Sequence, residues 1–309
     1  MKTAEQKFAE IYAPESSENS ATLISVIIPV HNSALWVKQT LDCVCRNSHK
    51  NLEVIAILDK PEDGSDDIVK EYAKKDSRVN VMEQPENKGM SAARNLGLSI
   101  AKGEWIHFMD SDDLLSVNFY RDMLSATDLA DDIDGVLCND ITHERDKYRQ
   151  VVHAPAIMSN FGDIADYTKD MVIPFWAWLM RKSFLNRINF VIPENMRIGE
   201  DYEVMPGTVD KMRKICIADG AFYVYKNRIR SATVTKSDQD RAVHDDRGHK
   251  IMNDLAQMRG AETRHDVYRG RLYFWGKVNV LHCANGVKEI IIFNKMVLRF
   301  KIKYKNKHD

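Results

Sequence analysis

Four residues, Asp110-Ser111-Asp112-Asp113, carry the clearest chemical signal in this chain of 309 residues. They follow the apolar run from Trp105 to Met109, and Gly103 lies just before that run. A short apolar run bounded in this way is typical of a buried strand that ends at a site. Carboxylates at the carboxyl end of such a strand suit Mg²⁺ or Mn²⁺ bridging to a substrate diphosphate. The alternative is a solvated acidic turn before a helix that begins near Ser116.

The elements that must position this cluster are predicted by apolar runs that alternate with helix-period segments. The predicted strands are residues 23–30, 52–58, 79–82, 105–109 and 135–138. Helices are predicted after a cap at Asn32 or Ser33, after Ser65 and from Ser91. Strand and helix alternating at this spacing predict an α/β fold with right-handed crossovers, in which helices flank a Rossmann-like, mostly parallel sheet. A nucleotide should then lie over the carboxyl edge of that sheet.

Two further loops leave the same predicted edge, and a helix start lies between them and the acidic cluster. The loops are Pro29-Val30-His31-Asn32 and the segment from Asp59 to Asp63. The helix start follows Gly89, and the free amide groups and dipole of such a terminus favour an anion. Arg94 lies one turn into this helix, which suggests an anion ligand; the alternative is a surface arginine paired with a neighbouring carboxylate.

Taken together, these segments resemble the family 2 glycosyltransferases of the GT-A fold over about residues 23–125. The resemblance implies a nucleotide-diphospho-sugar donor, a divalent metal (Mn²⁺ or Mg²⁺) held by an Asp-x-Asp motif, and transfer with inversion at the anomeric carbon. It implies that Asp59 holds the nucleotide base and assigns Asp112 to the metal. The predicted donor-binding residues are Pro29, Val30, Asn32, Asp59, Arg94, Asp110 and Ser111. The family often has a second aspartate followed by Gly-Ser in the Asp59 loop, whereas Lys60-Pro61 follows Asp59 here.

A second acidic pair, Glu200-Asp201, follows Gly199 and opens an amphipathic stretch. Helix N-termini favour ionised carboxylates, so a capping pair is one interpretation. The resemblance favours another, because inverting members place their catalytic base in such a pair. Asp201 is the predicted base, which would take a proton from the acceptor hydroxyl, and Glu200 is expected to support it or to contact the acceptor.

Other residues give weaker signals for the acceptor side. Trp176 and Trp178 would stack on a sugar face, although tryptophans in an apolar run more often belong to a core. Arg228 and Arg230 follow an aromatic run and are predicted to close over the diphosphate as a basic lid, with a solvated loop as the alternative. His244 would complete the metal shell, although a lone histidine is usually not a ligand.

Composition excludes several classes of function. Lysine plus arginine (44) nearly equals aspartate plus glutamate (45), so no global field points to nucleic acid. The five cysteines include no Cys-x-x-Cys pair, which indicates a reducing compartment and no zinc site. The first twenty residues are charged rather than apolar and do not form a signal peptide, and no run approaches the length of a membrane span. We therefore expect a cytoplasmic protein.

The C-terminal segment carries a separate signal. From Val287 onward, apolar residues fall near one helical face, while seven basic residues stand against two acidic ones. A basic amphipathic end suits an anionic membrane surface and a lipid-linked acceptor; the alternative is a terminal helix docked on the core. The predicted organisation is an N-terminal extension (1–21), a GT-A domain (22–225) and a helical C-terminal region (226–309).

The predicted function is a glycosyltransferase that extends a surface glycan such as lipopolysaccharide, lipooligosaccharide or capsule. A sugar nucleotidyltransferase is one alternative, but a Gly-rich basic loop should then follow the first strand, where Val30-His31-Asn32-Ser33 stands instead. A non-catalytic nucleotide-sugar-binding scaffold is another, yet it should have lost carboxylates that are present. No Gly-x-Gly-x-x-Gly follows a strand, which excludes a dinucleotide oxidoreductase.

Overall fold

The computed structural model describes residues 21–143, 148–151, 157–158, 174–194 and 199–226, together with the strands at 278–282, 287–292 and 296–301. The chain divides into two compact units, Met1–Met252 and Asn253–Asp309. The predicted boundaries at residues 22 and 226 stay predictions.

The first unit alternates strands and helices in its first half, as predicted. Strands β1 to β4 are Ile24–Val30, Leu52–Leu58, Val79–Glu83 and Trp105–Phe108, and helices α1 to α3 are Val37–Cys45, Ser65–Lys75 and Met90–Ile100. The later elements are β5 (Leu114–Leu115), α4 (Phe119–Ser125), β6 (Gly135–His143), β7 (Tyr148–Val151), β8 (Ile157–Met158), β9 (Trp178–Arg181), α5 (Lys182–Arg187), α6 (Glu200–Asp210) and β10 (Ile215–Tyr225). Among the described residues, no helix combines the length and apolar character needed to cross a membrane.

The central sheet has the strand order β3-β2-β1-β4-β9-β6-β10-β5. Its first four strands are parallel, which confirms the predicted α/β sheet in that half. Beyond β4 the sheet is mixed, because β9 runs antiparallel to both β4 and β6 while β6 and β10 are parallel. Strand β6 runs five residues past the predicted end at Cys138, because pairing with its neighbours carries it through the polar residues Asn139 and Asp140.

Close packing of α3 on β1 sets the position of the carboxyl edge. Every residue of β1 is buried. A methyl group added at Gly97 of α3 would collide with Cγ2 of Ile27 in β1. Glycine costs about 1 kcal/mol in a helix interior relative to alanine, and here it allows the helix and strand to approach. This contact fixes α3, and with it Arg94, against the sheet.

The helices of the first half begin one to four residues away from their predicted starts. Helix α1 begins at Val37 rather than directly after Asn32 or Ser33. Gly64 and Gly89, with φ of 84° and 88°, lie at the caps of α2 and α3, where serines were predicted. Positive φ suits glycine, so these turns depend on it. Ser65 is the first residue of α2, and its hydroxyl is hydrogen-bonded to the neighbouring loops instead.

The second unit contains an antiparallel sheet of β11 (Val278–His282), β12 (Val287–Ile292) and β13 (Met296–Lys301). The helix predicted from Val287 onward is therefore wrong for these segments. Ile290 pairs with Val280 on one side and with Leu298 on the other. β-branched residues favour strands, and Asn-Gly between two apolar runs, here Asn285-Gly286, is a strong hairpin signal. That signal was available in the sequence.

Candidate active site

Asp59, which directly follows β2, organises the donor edge. Its buried carboxylate accepts hydrogen bonds from Nε2 of Gln84 (2.8 Å) and from the backbone N–H groups of Lys88 (2.8 Å) and Gly89 (2.9 Å). Its own backbone N–H donates to the carbonyl of Val30 (2.9 Å). Asp59 thus fixes the turn that leads into α3. Its contact with a nucleotide base stays a prediction.

The loop after Asp59 contains the aspartate-Gly-Ser sequence that is typical of the family, although not at Lys60-Pro61. It lies three residues further on, at Asp63-Gly64-Ser65. The Asp63 carboxylate accepts hydrogen bonds from the N–H of Ala34 (2.8 Å) and from the Ser65 hydroxyl. The Ser65 hydroxyl oxygen in turn accepts a hydrogen bond from the N–H of Ser33 (2.9 Å). The loops after β1 and β2 are therefore joined to one another.

His31 was not predicted as a site residue, yet it lies among these loops. Its Nδ1 is 2.6 Å from the carbonyl oxygen of Asp59, and because a carbonyl only accepts, Nδ1 carries the proton. Nε2 then accepts a hydrogen bond from Nδ2 of Asn32 (3.1 Å). These two contacts hold the His31 ring in one orientation. Pro29 and Val30 are buried in β1, so they shape the edge without presenting side chains to it.

The acidic cluster after β4 divides into residues with different surroundings. Asp110 is partly exposed and its carboxylate pairs with Arg94, whereas Asp112 is only 6% exposed. Asp113 is fully buried and accepts hydrogen bonds from the Tyr223 hydroxyl (2.9 Å) and the N–H of Lys226 (2.8 Å). Burial, then the neighbouring carboxylates, raise the pKa of Asp113. Asp113 anchors the end of β10, a role that the sequence did not reveal.

Arg94 links this cluster to the second acidic pair. One guanidinium nitrogen lies 2.5 Å from Oε1 of Glu200, and the other lies 2.8 Å from Oδ1 of Asp110. The Arg94 side chain is only 4% exposed. Burial alone would lower its pKa, but the two carboxylates raise it, so the guanidinium stays charged. The pairing with carboxylates given above as the alternative is observed, and it is buried rather than on the surface.

Asp201 lies beside this ion pair in the first turn of α6. The helix follows Gly199, whose φ is 79°, and Oδ1 of Asp201 accepts a hydrogen bond from the N–H of Tyr202 (2.9 Å). Burial, followed by the charge of Glu200, raises the pKa of Asp201 to about 7 from its ordinary value of 3.8. A carboxylate with a pKa near neutral pH is suited to general-base work.

The two predicted acceptor tryptophans lie in different environments. Trp178 has no exposed surface and packs close to Gly135, so the expectation that it contacts an acceptor is wrong and the core alternative holds. Trp176 is 9% exposed and stacks on Tyr223 and Tyr225, with ring centroids 4.5 and 5.5 Å apart. A continuous apolar run has no periodicity that marks one face as exposed, so the sequence does not show which of two nearby tryptophans reaches the surface.

The metal prediction depends on few protein ligands. The structure does not describe Arg228, Arg230 or His244. In the part of the chain that it does describe, no group of three or more His, Cys, Asp or Glu side chains forms a metal site. Mg²⁺ is commonly held by one or two carboxylates while substrate phosphates and water supply its other ligands. Asp112, a hard oxygen ligand at the carboxyl end of β4, fits such an ion when a diphosphate is present.

Comparison with known proteins decides the family. The profile described as "Glycosyl transferase family 2" matches residues 25–188, more than half of the chain. The chain belongs to glycosyl transferase family 2. This membership weighs against the sugar nucleotidyltransferase alternative.

Relatives of this family 2 glycosyltransferase include the uncharacterized glycosyltransferase EpsJ of Bacillus subtilis, 26% identical over 68% of this chain and 63% of EpsJ. The minor teichoic acid biosynthesis protein GgaB of Bacillus subtilis is 28% identical over 66% of this chain and 23% of GgaB. The chain thus spans less than two thirds of the length of either relative. A similar solved structure is that of S. aureus TarS 1–349 in complex with UDP. Its alignment with this chain covers 80% of this chain and 75% of the TarS chain, with a TM-score of 0.57 and 20% identity. This likeness confirms the predicted GT-A fold.

The raised pKa of Asp201 predicts a pH-dependent effect on stability. In the folded enzyme Asp201 holds its proton up to about pH 7, whereas the unfolded chain loses it near the ordinary value of 3.8. The free energy of unfolding should therefore fall as pH rises from 4 to 7, on the order of 1.4 kcal/mol per pKa unit. Asp201→Asn removes this pH-dependent loss of stability. The melting temperature of the variant relative to that of the parent should therefore be higher at pH 8 than at pH 5.

The control is Asp131→Asn, which changes an exposed aspartate in the loop before β6. Its melting temperature should follow that of the parent at both pH values. A difference between Asp201→Asn and the parent that stays constant with pH would contradict the raised pKa.

Proposed function

We propose that this glycosyltransferase moves a hexose or related sugar, with inversion, from a nucleotide-diphospho-sugar to a hydroxyl of a growing surface glycan. The donor we favour is a UDP-sugar, and the glycan classes are lipopolysaccharide, lipooligosaccharide and capsule. The observation that carries the proposal is the Arg94 bridge, because it brings the helix of Asp201 to the carboxylates that end β4. A proton acceptor and a donor-binding edge are thereby held in one site.

In the proposed reaction Asp201 takes the proton of the acceptor hydroxyl. The acceptor oxygen forms its bond to the anomeric carbon as the bond from that carbon to the diphosphate oxygen breaks. Attack from the face opposite the leaving group inverts the configuration. The products are the extended glycan and the nucleoside diphosphate, and the proton leaves Asp201 for solvent.

The donor side of the proposal rests on the three loops at the carboxyl edge. Asp59 and the fixed His31–Asn32 loop would face the nucleoside, and Asp110 with Ser111 would face the ribose and sugar phosphate. Asp112 would hold the divalent ion, Mn²⁺ or Mg²⁺, which offsets negative charge on the leaving diphosphate when bound. Restricting water around these groups strengthens each electrostatic contact.

The acceptor class is supported by one relative and one charge pattern. The relative is GgaB, a minor teichoic acid biosynthesis protein. Basic residues dominate the end of the chain from Lys288 to Lys307, which suits an anionic surface bearing a lipid-linked acceptor. We place the reaction at the inner face of the cytoplasmic membrane, with Trp176, Arg228 and Arg230 on the acceptor side.

Asp201→Asn tests the base directly. The amide keeps the size of the side chain and most of its hydrogen bonding but takes no proton, so turnover should fall by about 100- to 10,000-fold. UDP affinity, measured by calorimetry with Mn²⁺, should stay within about threefold, because binding does not need the base. A folded variant that keeps parental turnover would move the base elsewhere, with Glu200 next in line.

Asp112→Asn tests the metal. Loss of one negative ligand should weaken Mn²⁺-dependent UDP binding by about tenfold or more. Asp131→Asn, in an exposed loop, is the matched control and should bind UDP as the parent does. Equal UDP affinity of the parent with and without Mn²⁺ would refute the metal assignment.

Charge reversal of Lys303, Lys305 and Lys307 tests membrane contact while leaving β11 to β13 in place. Each basic residue near an anionic surface contributes about 1 kcal/mol, so binding to vesicles of phosphatidylglycerol and phosphatidylcholine should fall by at least tenfold at low salt. Reversal of three exposed lysines of the first unit, Lys38, Lys74 and Lys75, is the control. Equal loss in both variants, or no binding by the parent, would refute a specific role of the tail.

A further inference from the structure

Two consecutive residues of α3, Arg94 and Asn95, bind described residues that precede the proposed base Asp201. Nδ2 of Asn95 donates to the carbonyl of Ile192 (2.8 Å), and the N–H of Ile192 donates to Oδ1 of Asn95 (3.0 Å). Asn95 also contacts Oε1 of Glu194 (3.1 Å). Arg94 pairs with Glu200, the residue before Asp201. Consecutive residues of α3 thus bind Ile192 and Glu194 on one side and the first residue of α6 on the other.

The Arg94 guanidinium uses one terminal nitrogen for Glu200 and the other for Asp110, and its buried Nε has no hydrogen-bond partner among the described residues. The guanidinium lies between Glu200 and Asp110 and stacks over the ring of Phe175, 5.3 Å from its centroid. A donor phosphate that took the place of Glu200 would separate Arg94 from a carboxylate whose side chain is only 7% exposed. Breaking such a pair is strongly unfavourable because it leaves an uncompensated buried charge.

We propose that Arg94 is a positioning residue for Asp201, and that with Asn95 it clamps the start of α6 and residues 192–194 to α3, beside the donor edge, instead of binding donor phosphates. This inference rests on the proposed role of Asp201 as the base. Arginine suits the task, because its planar fork reaches two carboxylates at fixed geometry and a lysine does not.

The clamp also sets the charge around the base. The groups that act on Asp201 are Glu200, Arg94 and Asp110: both carboxylates raise its pKa and Arg94 lowers it. Removing the cation should therefore move the acid limb of kcat/KM to higher pH, and neutralising Glu200 should move it to lower pH. Substituting a residue that only supports the fold would leave the acid limb of kcat/KM where it is in the parent.

The experiment compares Arg94→Lys, Arg94→Met, Asn95→Ala and Glu200→Gln with the parent. Turnover is followed as UDP release from UDP-glucose, UDP-galactose and UDP-N-acetylglucosamine, using the donor that the parent consumes fastest, and UDP binding is followed by calorimetry with Mn²⁺. We expect kcat to fall by about 10- to 100-fold in Arg94→Lys and about tenfold in Asn95→Ala, with UDP affinity within about threefold. The acid limb should rise by about one pH unit in Arg94→Met and fall by about one in Glu200→Gln.

Arg213→Lys is the matched control. Arg213 is also shared by two carboxylates, Asp134 and Asp132, but it contacts no residue of the site. Its kcat and pH profile should match those of the parent, which separates the clamp from general loss of an arginine bridge.

Two results would overturn the clamp. If Arg94 binds the donor, Arg94→Lys will lose at least tenfold in UDP affinity while kcat at saturating donor is kept. If Arg94 only supports the fold, its variants will have lower melting temperatures than the parent. The acid limb of kcat/KM will then not shift in opposite directions in Arg94→Met and Glu200→Gln. Asp201→Asn separates the two proposals: parental turnover in that variant refutes the base and the clamp together, whereas an inactive Asp201→Asn beside unaffected Arg94 and Asn95 variants refutes the clamp alone.

Discussion

A single buried charge network joins the two halves of this enzyme. Arg94 comes from the parallel half of the sheet and Glu200 from the mixed half, 106 residues later in the chain. Since losing one partner of a buried ion pair is strongly unfavourable, the Arg94–Glu200 pair holds the helix that carries Asp201 beside the end of β4. Asp59 plays the corresponding part within the parallel half, where its carboxylate holds the turn at Gly89 that begins the helix of Arg94.

The parallel half is the part of the fold that the sequence predicts well. Its strands are short apolar runs, and each is followed by a helix-period stretch with a turn residue at its boundary, so local pattern and final structure agree. The acidic residues after β4 and the Glu200–Asp201 pair are likewise visible as polar breaks after or before apolar segments. Their proximity was predicted only from the family resemblance, because no local pattern reports a contact across 106 residues.

The remaining features depend on partners that lie far away in sequence. Trp178 belongs to the core because β9 inserts between β4 and β6, and that pairing has no local signature. Asp113 looks like its acidic neighbours in sequence, yet its bond to Tyr223 makes it an internal anchor. At the end of the chain the apolar spacing fitted a helix, but β-branched content and an Asn-Gly turn favoured a hairpin, and turn chemistry should have been weighed above periodicity there.

The contact between Asp113 and Tyr223 also bears on the order in which the chain folds. Strands β1 to β4 meet through short crossovers, whereas Asp113 meets Tyr223 only after a loop of 110 residues closes. Closing long loops costs chain entropy before the contact is rewarded, so low-contact-order regions tend to assemble first. The loops after β1 and β2 would then be ordered before the turn that carries Asp201. A chain assembled in this order completes the edge around Asp59 before the acidic pair at the start of α6 joins it.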